Sequence, residues 1–162
     1  MLTPGKAPTM ELILWRHAEA ADTIPDMARA LTHKGRRQAQ VMADWMTSQL
    51  SGPVRVIASP ATRTQQTARA LHLPVEVLQE IDPNASADAL LAATGWPDGH
   101  GVVILVGHNP AISELAARLA GKDAAALSLG CGAAFWYASR DKGAPQLMLK
   151  TAMTPALLLH AG

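Results

Sequence analysis

Arg16 and His17 stand at the end of an apolar run, Leu12-Ile13-Leu14-Trp15, directly before the polar stretch Ala18-Glu19-Ala20-Ala21-Asp22. An arginine presents a planar fork of donors that matches a phosphate. A neutral histidine beside it offers a ring nitrogen as a nucleophile. Such a dipeptide alone recurs by chance, but two further breaks carry matching chemistry. Val54-Arg55-Val56-Ile57-Ala58 gives way to Ser59-Pro60-Ala61-Thr62-Arg63, and Val102-Val103-Ile104-Leu105-Val106 gives way to Gly107-His108-Asn109-Pro110. Ser59 and Asn109 suit helix N-caps, and Pro60 and Pro110 suit first helical positions. Short apolar runs of this kind read as buried parallel strands. Arg16, His17, Arg63 and His108 therefore gather where three strands end, the edge at which open α/β sheets place ligands. Helix N-termini at that edge favour an anion.

The elements that must position these residues alternate along the chain. A strand is predicted over 11–16 and a helix capped by Thr32 running to Gln49, with Ala39, Met42, Trp45 and Met46 at helical spacing. A strand at 54–58, a helix from Pro60 to Leu71 and a short strand at 75–78 follow. A helix capped near Ser86 ends at Gly95, a strand covers 102–106, and a helix from Pro110 closes at Gly121. Two last strands, 133–139 and 146–152, flank a turn at 140–143 and read as a hairpin. The expected architecture is a three-layer α/β/α sandwich around a mostly parallel six-stranded sheet with a C-terminal hairpin.

Composition bounds the function. The chain has 162 residues, 49% hydrophobic and 17% charged, which fits one folded domain with a sizeable core. Residues 1–10, with Pro4, Gly5 and Pro8, read as a flexible leader before a single domain at 11–162, and Met10 is a second candidate start. A net charge of +1 provides no nucleic-acid footprint, so anion binding has to come from local clustering. No apolar run approaches the roughly 18 residues of a membrane span. The lone Cys131 excludes an internal disulfide and fits a reducing, cytoplasmic setting; it reads as a small residue in a turn. His33, His72, His100 and His160 read as surface residues, as do Arg36 and Arg37, and Trp45 as core.

The segments Leu14-Trp15-Arg16-His17-Ala18-Glu19, Arg29-Ala30-Leu31-Thr32-His33-Lys34-Gly35, Ser59-Pro60-Ala61-Thr62-Arg63-Thr64-Gln65-Gln66-Thr67 and Val106-Gly107-His108-Asn109-Pro110 resemble the histidine phosphatase superfamily, with its phosphoglycerate mutase-like fold. Within it they are most similar to the small SixA-type phosphohistidine phosphatases. The resemblance implies that His17 is the nucleophile that becomes phosphorylated, and that Arg16, Arg63 and His108 surround the phosphoryl group. Arg29 matches an arginine of the small subgroup's loop, and Glu80 falls where the usual acid glutamate follows the third strand. No metal or other cofactor is implied. The superfamily often has glycine where this chain has Ala18. Many mutase-like members carry an asparagine near the positions of Asp22 and Thr23.

The chemistry expected of these residues is phosphoryl transfer, in which charge neutralisation and in-line positioning dominate. Two arginines and a protonated His108 would neutralise the phosphoryl oxygens. His17 must be neutral to attack, and the nearby cations depress its pKa. Its second ring nitrogen should donate to a carbonyl or carboxylate that the sequence does not identify. The expected substrate is a phosphorylated one, with protein phosphohistidine favoured because no large insertion builds a lid. Alternatives are a small-molecule phosphomonoesterase and a non-catalytic phosphate- or phosphoprotein-binding module. A metallohydrolase lacks a ligand cluster at metal spacing, and Gly107-His108-Asn109-Pro110 is no serine elbow.

Overall fold

The computed structural model describes residues 10–121, 128–139 and 147–160, without the side chain of His160. Six strands form one sheet: β1 (Met10–Arg16), β2 (Val54–Ala58), β3 (Val75–Val77), β4 (Gly101–Gly107), β5 (Ala134–Ser139) and β6 (Leu147–Met153). Their order across the sheet is β3-β2-β4-β1-β5-β6. The first four strands are parallel, β5 pairs antiparallel with β1, and β6 pairs antiparallel with β5. The mostly parallel sheet and the terminal antiparallel pair follow the sequence expectation. The predicted turn at 140–143 lies outside the described residues, as does most of the predicted leader. Met10 corrects the leader boundary, because it opens β1 and is fully buried.

The helices are α1 (His33–Gln49), α2 (Thr62–Arg69), α3 (Ala87–Thr94), α4 (Ala111–Leu119) and α5 (Pro155–His160). Side-chain alternation along each strand feeds a separate core on each face of the sheet. Leu12, Leu14, Val103 and Leu105 pack with Leu90, Ile112 and Leu115 of α3 and α4. Ile13, Trp15, Val102, Ile104 and Val106 pack with Met42 and Met46 of α1, Ala68 of α2 and Leu158 of α5. Burial on both faces explains why these strands are continuously apolar rather than alternating. The turn of sequence from 155 to 160 was not expected as a helix, being too short to show a helical period.

Thr32 caps α1 through a bond accepted from the Gly35 N–H at 2.9 Å, and Ser86 caps α3 through the Ala89 N–H at 3.1 Å. Gly95 ends α3 in a left-handed conformation, φ 75°. Two caps differ from expectation. Ala61 and Pro110 occupy the N-cap positions of α2 and α4, and neither makes a side-chain cap bond. The side chains of Ser59 and Asn109 are drawn instead into hydrogen bonds around the strand ends.

Gly35 lies in the first turn of α1, against the chain that follows β1. A Cβ there would run into the carbonyl oxygen of Glu19, well inside van der Waals contact. Alanine favours a helix over glycine by up to about 1 kcal/mol, but backbone overpacking costs about 1–3 kcal/mol. Gly35→Ala is therefore expected to destabilise the fold on balance and to lower turnover by displacing the segment behind His17. Urea unfolding read beside activity checks both effects.

Candidate active site

Four strand-end residues meet in one pocket of about 250 Å³, lined by Arg16, His17, Arg63 and His108 together with Arg29 and Asn109. The pairing order explains the meeting: β4 lies between β1 and β2, so Arg16, Ala58 and Gly107 end adjacent strands. Arg63 arrives one residue into α2, and Arg29 arrives from a loop that returns beside β1 through the Ala20–Leu31 bridge.

The main chain at His17 is fixed from several sides. Its N–H donates to the Gly107 carbonyl at 3.1 Å, and both Arg16 and His17 carbonyls accept from the Gly132 N–H. The Ala18 N–H donates to Thr67 Oγ1 at 3.0 Å, the Glu19 N–H to Gln38 Oε1 at 2.9 Å, and the Leu31 N–H to Gln66 Oε1 at 2.7 Å. The Ala18 methyl is buried with Leu31 and Ala39, so alanine at this position packs rather than obstructs.

The imidazole of His17 is 8% exposed, and its Nδ1 lies 2.8 Å from the Ala18 carbonyl oxygen. A carbonyl only accepts, so the ring proton sits on Nδ1 and the Nε2 lone pair stays free. This carbonyl is the partner that the sequence left unidentified. Burial lowers the His17 pKa to about 4; the Ala18 bond opposes the shift, and Arg63, Arg16 and Arg29 deepen it. His17 is therefore neutral at physiological pH.

His108 lies with its ring centroid 5.2 Å from that of His17. Its Nε2 is 2.8 Å from Ser59 Oγ, an oxygen that also accepts from the Ala61 N–H at 3.2 Å. When the Ser59 hydroxyl donates to Nε2, the His108 proton lies on Nδ1. Nδ1 is buried and has no hydrogen-bond partner among the described residues. The protonated His108 expected from sequence is corrected here: burial first, then Arg63 and His17, lower its pKa to about 3, so the ring is neutral.

Each guanidinium is tied to a main-chain carbonyl. Arg16 Nη1 donates to Leu129 at 2.8 Å, Arg29 Nε to Ala21 at 2.9 Å, and Arg63 Nη1 to Asp26 at 2.9 Å. The Asp26 carboxylate bridges Arg63 and Arg29, at 3.2 and 3.3 Å. Burial acts to raise its pKa, but Arg63 and Arg29 outweigh that and hold it ionised. The Nε groups of Arg16 and Arg63 are buried without a partner among the described residues. The two unpartnered guanidinium donors, with His108 beside them, form a group suited to an oxyanion.

Glu80 is not brought into this group. It is exposed on the 3₁₀ turn Gln79–Ile81, and the same loop reaches the pocket through Pro83. Buried Ile81 anchors that turn and leaves its neighbour in solvent. Cys131 borders the pocket in the turn before β5. His33, His72, His100, Arg36 and Arg37 are exposed, and Trp45 packs on the second core. Sequence reasoning missed Asp26, Ser59 and Thr67. Only the Ser59-to-Thr67 motif offered a signal, since its hydroxyls sit where two strand ends must be tied together. Among the described residues, no group of three or more His, Cys, Asp or Glu is placed to hold a metal ion, and no helix is long and apolar enough to cross a membrane.

Residues 12–86 match the sequence profile of the histidine phosphatase superfamily (branch 1). The phosphohistidine phosphatase SixA of Escherichia coli is 33% identical over 119 residues, spanning 68% of this chain and 74% of that one. The SixA homolog of Haemophilus influenzae is 30% identical over 129 residues, spanning 70% and 79%. The solved structure of the protein histidine phosphatase SixA in complex with tungstate superposes with a TM-score of 0.75 at 28% identity, covering 92% of this chain and 99% of the other. The chain belongs to the histidine phosphatase superfamily, and its class of activity is that of a phosphatase.

The two depressed histidines set a pH dependence. In the unfolded chain each takes up a proton near pH 6.5, while in the fold they resist it down to about 4 and 3. The unfolded state binds more protons in that interval, so stability falls as pH drops below 6.5 and the loss is complete near pH 3. His108→Gln is expected to flatten this slope in urea titrations at stepped pH. Turnover should fall on the acid side as His17 protonates near pH 4, with no such step between pH 6 and 8.

Proposed function

We propose that this protein is a metal-independent phosphatase that works through a phosphorylated His17, with protein phosphohistidine as its substrate. One observation carries the reading: His17 is held neutral, its proton fixed on Nδ1, its Nε2 free among three cationic side chains and beside the His108 ring. Nε2 attacks phosphorus. The substrate imidazole carries a proton, taken from water, on its other ring nitrogen, so when the bond from phosphorus to its nitrogen breaks the electron pair leaves on a neutral imidazole. Water then attacks the phosphorus on Nε2, the P–N bond breaks, and the lone pair returns to His17 as phosphate departs. Arg16, Arg63 and His108 hold the non-bridging oxygens through both steps, and Arg29 adds a further positive charge. These groups supply the charge stabilisation that a cation would otherwise provide.

The leaving group is the reason for favouring a phosphoramidate. An imidazole departs readily, whereas an alkoxide needs a proton delivered in the transition state. Two carboxylates beside the pocket are engaged as acceptors: Asp26 takes the arginines, and Glu19 takes the Thr32 hydroxyl at 2.6 Å. The names of the SixA relatives support the same substrate class. On this reading a phosphorylated protein is the partner.

His17→Asn should retain the fold and lose turnover by about 10³-fold or more, with no acid-labile phosphoenzyme trapped from labelled substrate. Retained turnover would overturn the mechanism. Activity should survive exhaustive chelation; loss with EDTA and recovery with a divalent cation would favour a metallohydrolase. Comparing kcat/KM on a phosphohistidine protein, a phosphoserine peptide and sugar phosphates decides the substrate class. A preference for sugar phosphates would favour a small-molecule phosphomonoesterase, and no turnover of any would favour a binding module. Glu80→Gln is expected to leave the phosphohistidine reaction within about twofold of wild type, as for a surface residue away from the site.

A further inference from the structure

Ser113 lies in the first turn of α4, 6% exposed. Its hydroxyl donates to Asn109 Oδ1 and accepts the Leu129 N–H at 2.8 Å. Asn109 Nδ2 in turn donates to the Leu129 carbonyl at 3.0 Å, which closes a ring of three residues. That same carbonyl accepts Arg16 Nη1 at 2.8 Å. Donor and acceptor polarity is satisfied at every point: one hydroxyl proton, one hydroxyl lone pair, two carbonyl lone pairs, and both ends of one amide. This polarity also settles the orientation of the Asn109 amide.

The Leu129 carbonyl is the hydrogen-bond anchor of the Arg16 guanidinium among the described residues, and the Arg16 Nε has no partner. Leu129 contributes no catalytic side chain; it is an acceptor whose place is set from behind. Its N–H is held by Ser113 and its carbonyl by Asn109, two residues of the chain that begins at His108. The ring thus couples the position of Arg16, at the end of β1, to the start of α4 on the strand beside it. We infer that Ser113 is a positioning residue for catalysis, fixing the Leu129 peptide that aims Arg16 at the phosphoryl group. The inference rests on the assignment of Arg16 to phosphoryl binding. It adds a residue outside the pocket to the machinery.

Ser113→Ala removes the hydroxyl, and leaves the Leu129 N–H and Asn109 Oδ1 buried without partners. Arg16 then loses a fixed acceptor. Misplacing a positioned group costs up to about 10²-fold, so kcat/KM should fall about 10–100-fold, and affinity for inorganic tungstate, read by inhibition, should fall with it. Ser113→Thr keeps the hydroxyl and should stay within a few-fold of wild type. The deciding measurement is a double-mutant cycle with Arg16→Ala, with thermal midpoints recorded for every variant. In an Arg16→Ala background, Ser113→Ala should cost no more than about twofold further, because the group it positions is gone. A purely structural serine would instead lower the thermal midpoint and cost the same factor in both backgrounds, which would overturn the proposal. A loss in Arg16→Ala with none in Ser113→Ala would overturn the positioning role while leaving the site intact. Full turnover by Arg16→Ala would overturn both readings. If Ser113→Ala does not fold, Ser113→Cys, near-isosteric and a weak donor, carries the same cycle.

Discussion

The pocket depends on holding three guanidinium groups together around two histidines that must stay uncharged. Like charges repel, and a cation beside an imidazole drives off its proton. The fold turns that second effect to use, since a neutral His17 is the reactive form. The repulsion is met by main-chain carbonyls, one for each arginine, and by the single carboxylate of Asp26 shared between two of them. A carbonyl orients a guanidinium without neutralising it, so the arginines keep their charge and some of their donors. The positive field is therefore available to a ligand.

This arrangement explains why the site sits where it does. Carbonyls at strand ends and loops are the ones that a sheet leaves unpaired. The Leu129, Ala21 and Asp26 carbonyls all belong to connections, not to the ladders. The strands supply rigidity, because β1 and β4 are paired along their whole length and buried on both faces. Phosphoryl transfer needs in-line placement more than elaborate covalent chemistry, and a sheet edge framed by loop carbonyls provides both a stiff floor and adjustable arms.

His108 shows how one contact changes a role. Protonated, it would add a charge to an already cationic pocket. Buried against Ser59 and next to Arg63, it stays neutral, and with the Ser59 hydroxyl donating to Nε2 it presents its N–H at Nδ1. A neutral donor stabilises an oxyanion without adding to the repulsion that the arginines already create. Ser59, in the Ser59-Pro60 turn after β2, therefore does more for the site by holding the His108 ring than it would by capping a helix.

The sequence by itself determined the strands that end at Arg16, Ala58 and Gly107, because a continuous apolar run broken by polar and turn-forming residues has few other solutions. It also determined that Arg16, His17, Arg63 and His108 share one edge, since parallel strands with helical crossovers all present the same end. Thr32 and Ser86 were legible as caps because each competes only for its own helix N-terminus. Glu80 was not legible as lying outside the pocket, because a single 3₁₀ turn anchored by Ile81 decides which side its neighbour faces. Asp26, Ser59, Thr67 and Ser113 acquired their partners only in three dimensions. Their hydrogen bonds reach across the sheet edge or back from a distant loop, and no local spacing encodes a partner that distant. The tautomer of His17 was likewise a tertiary decision, since the Ala18 carbonyl shares its peptide plane with the Glu19 N–H, which Gln38 Oε1 holds from α1.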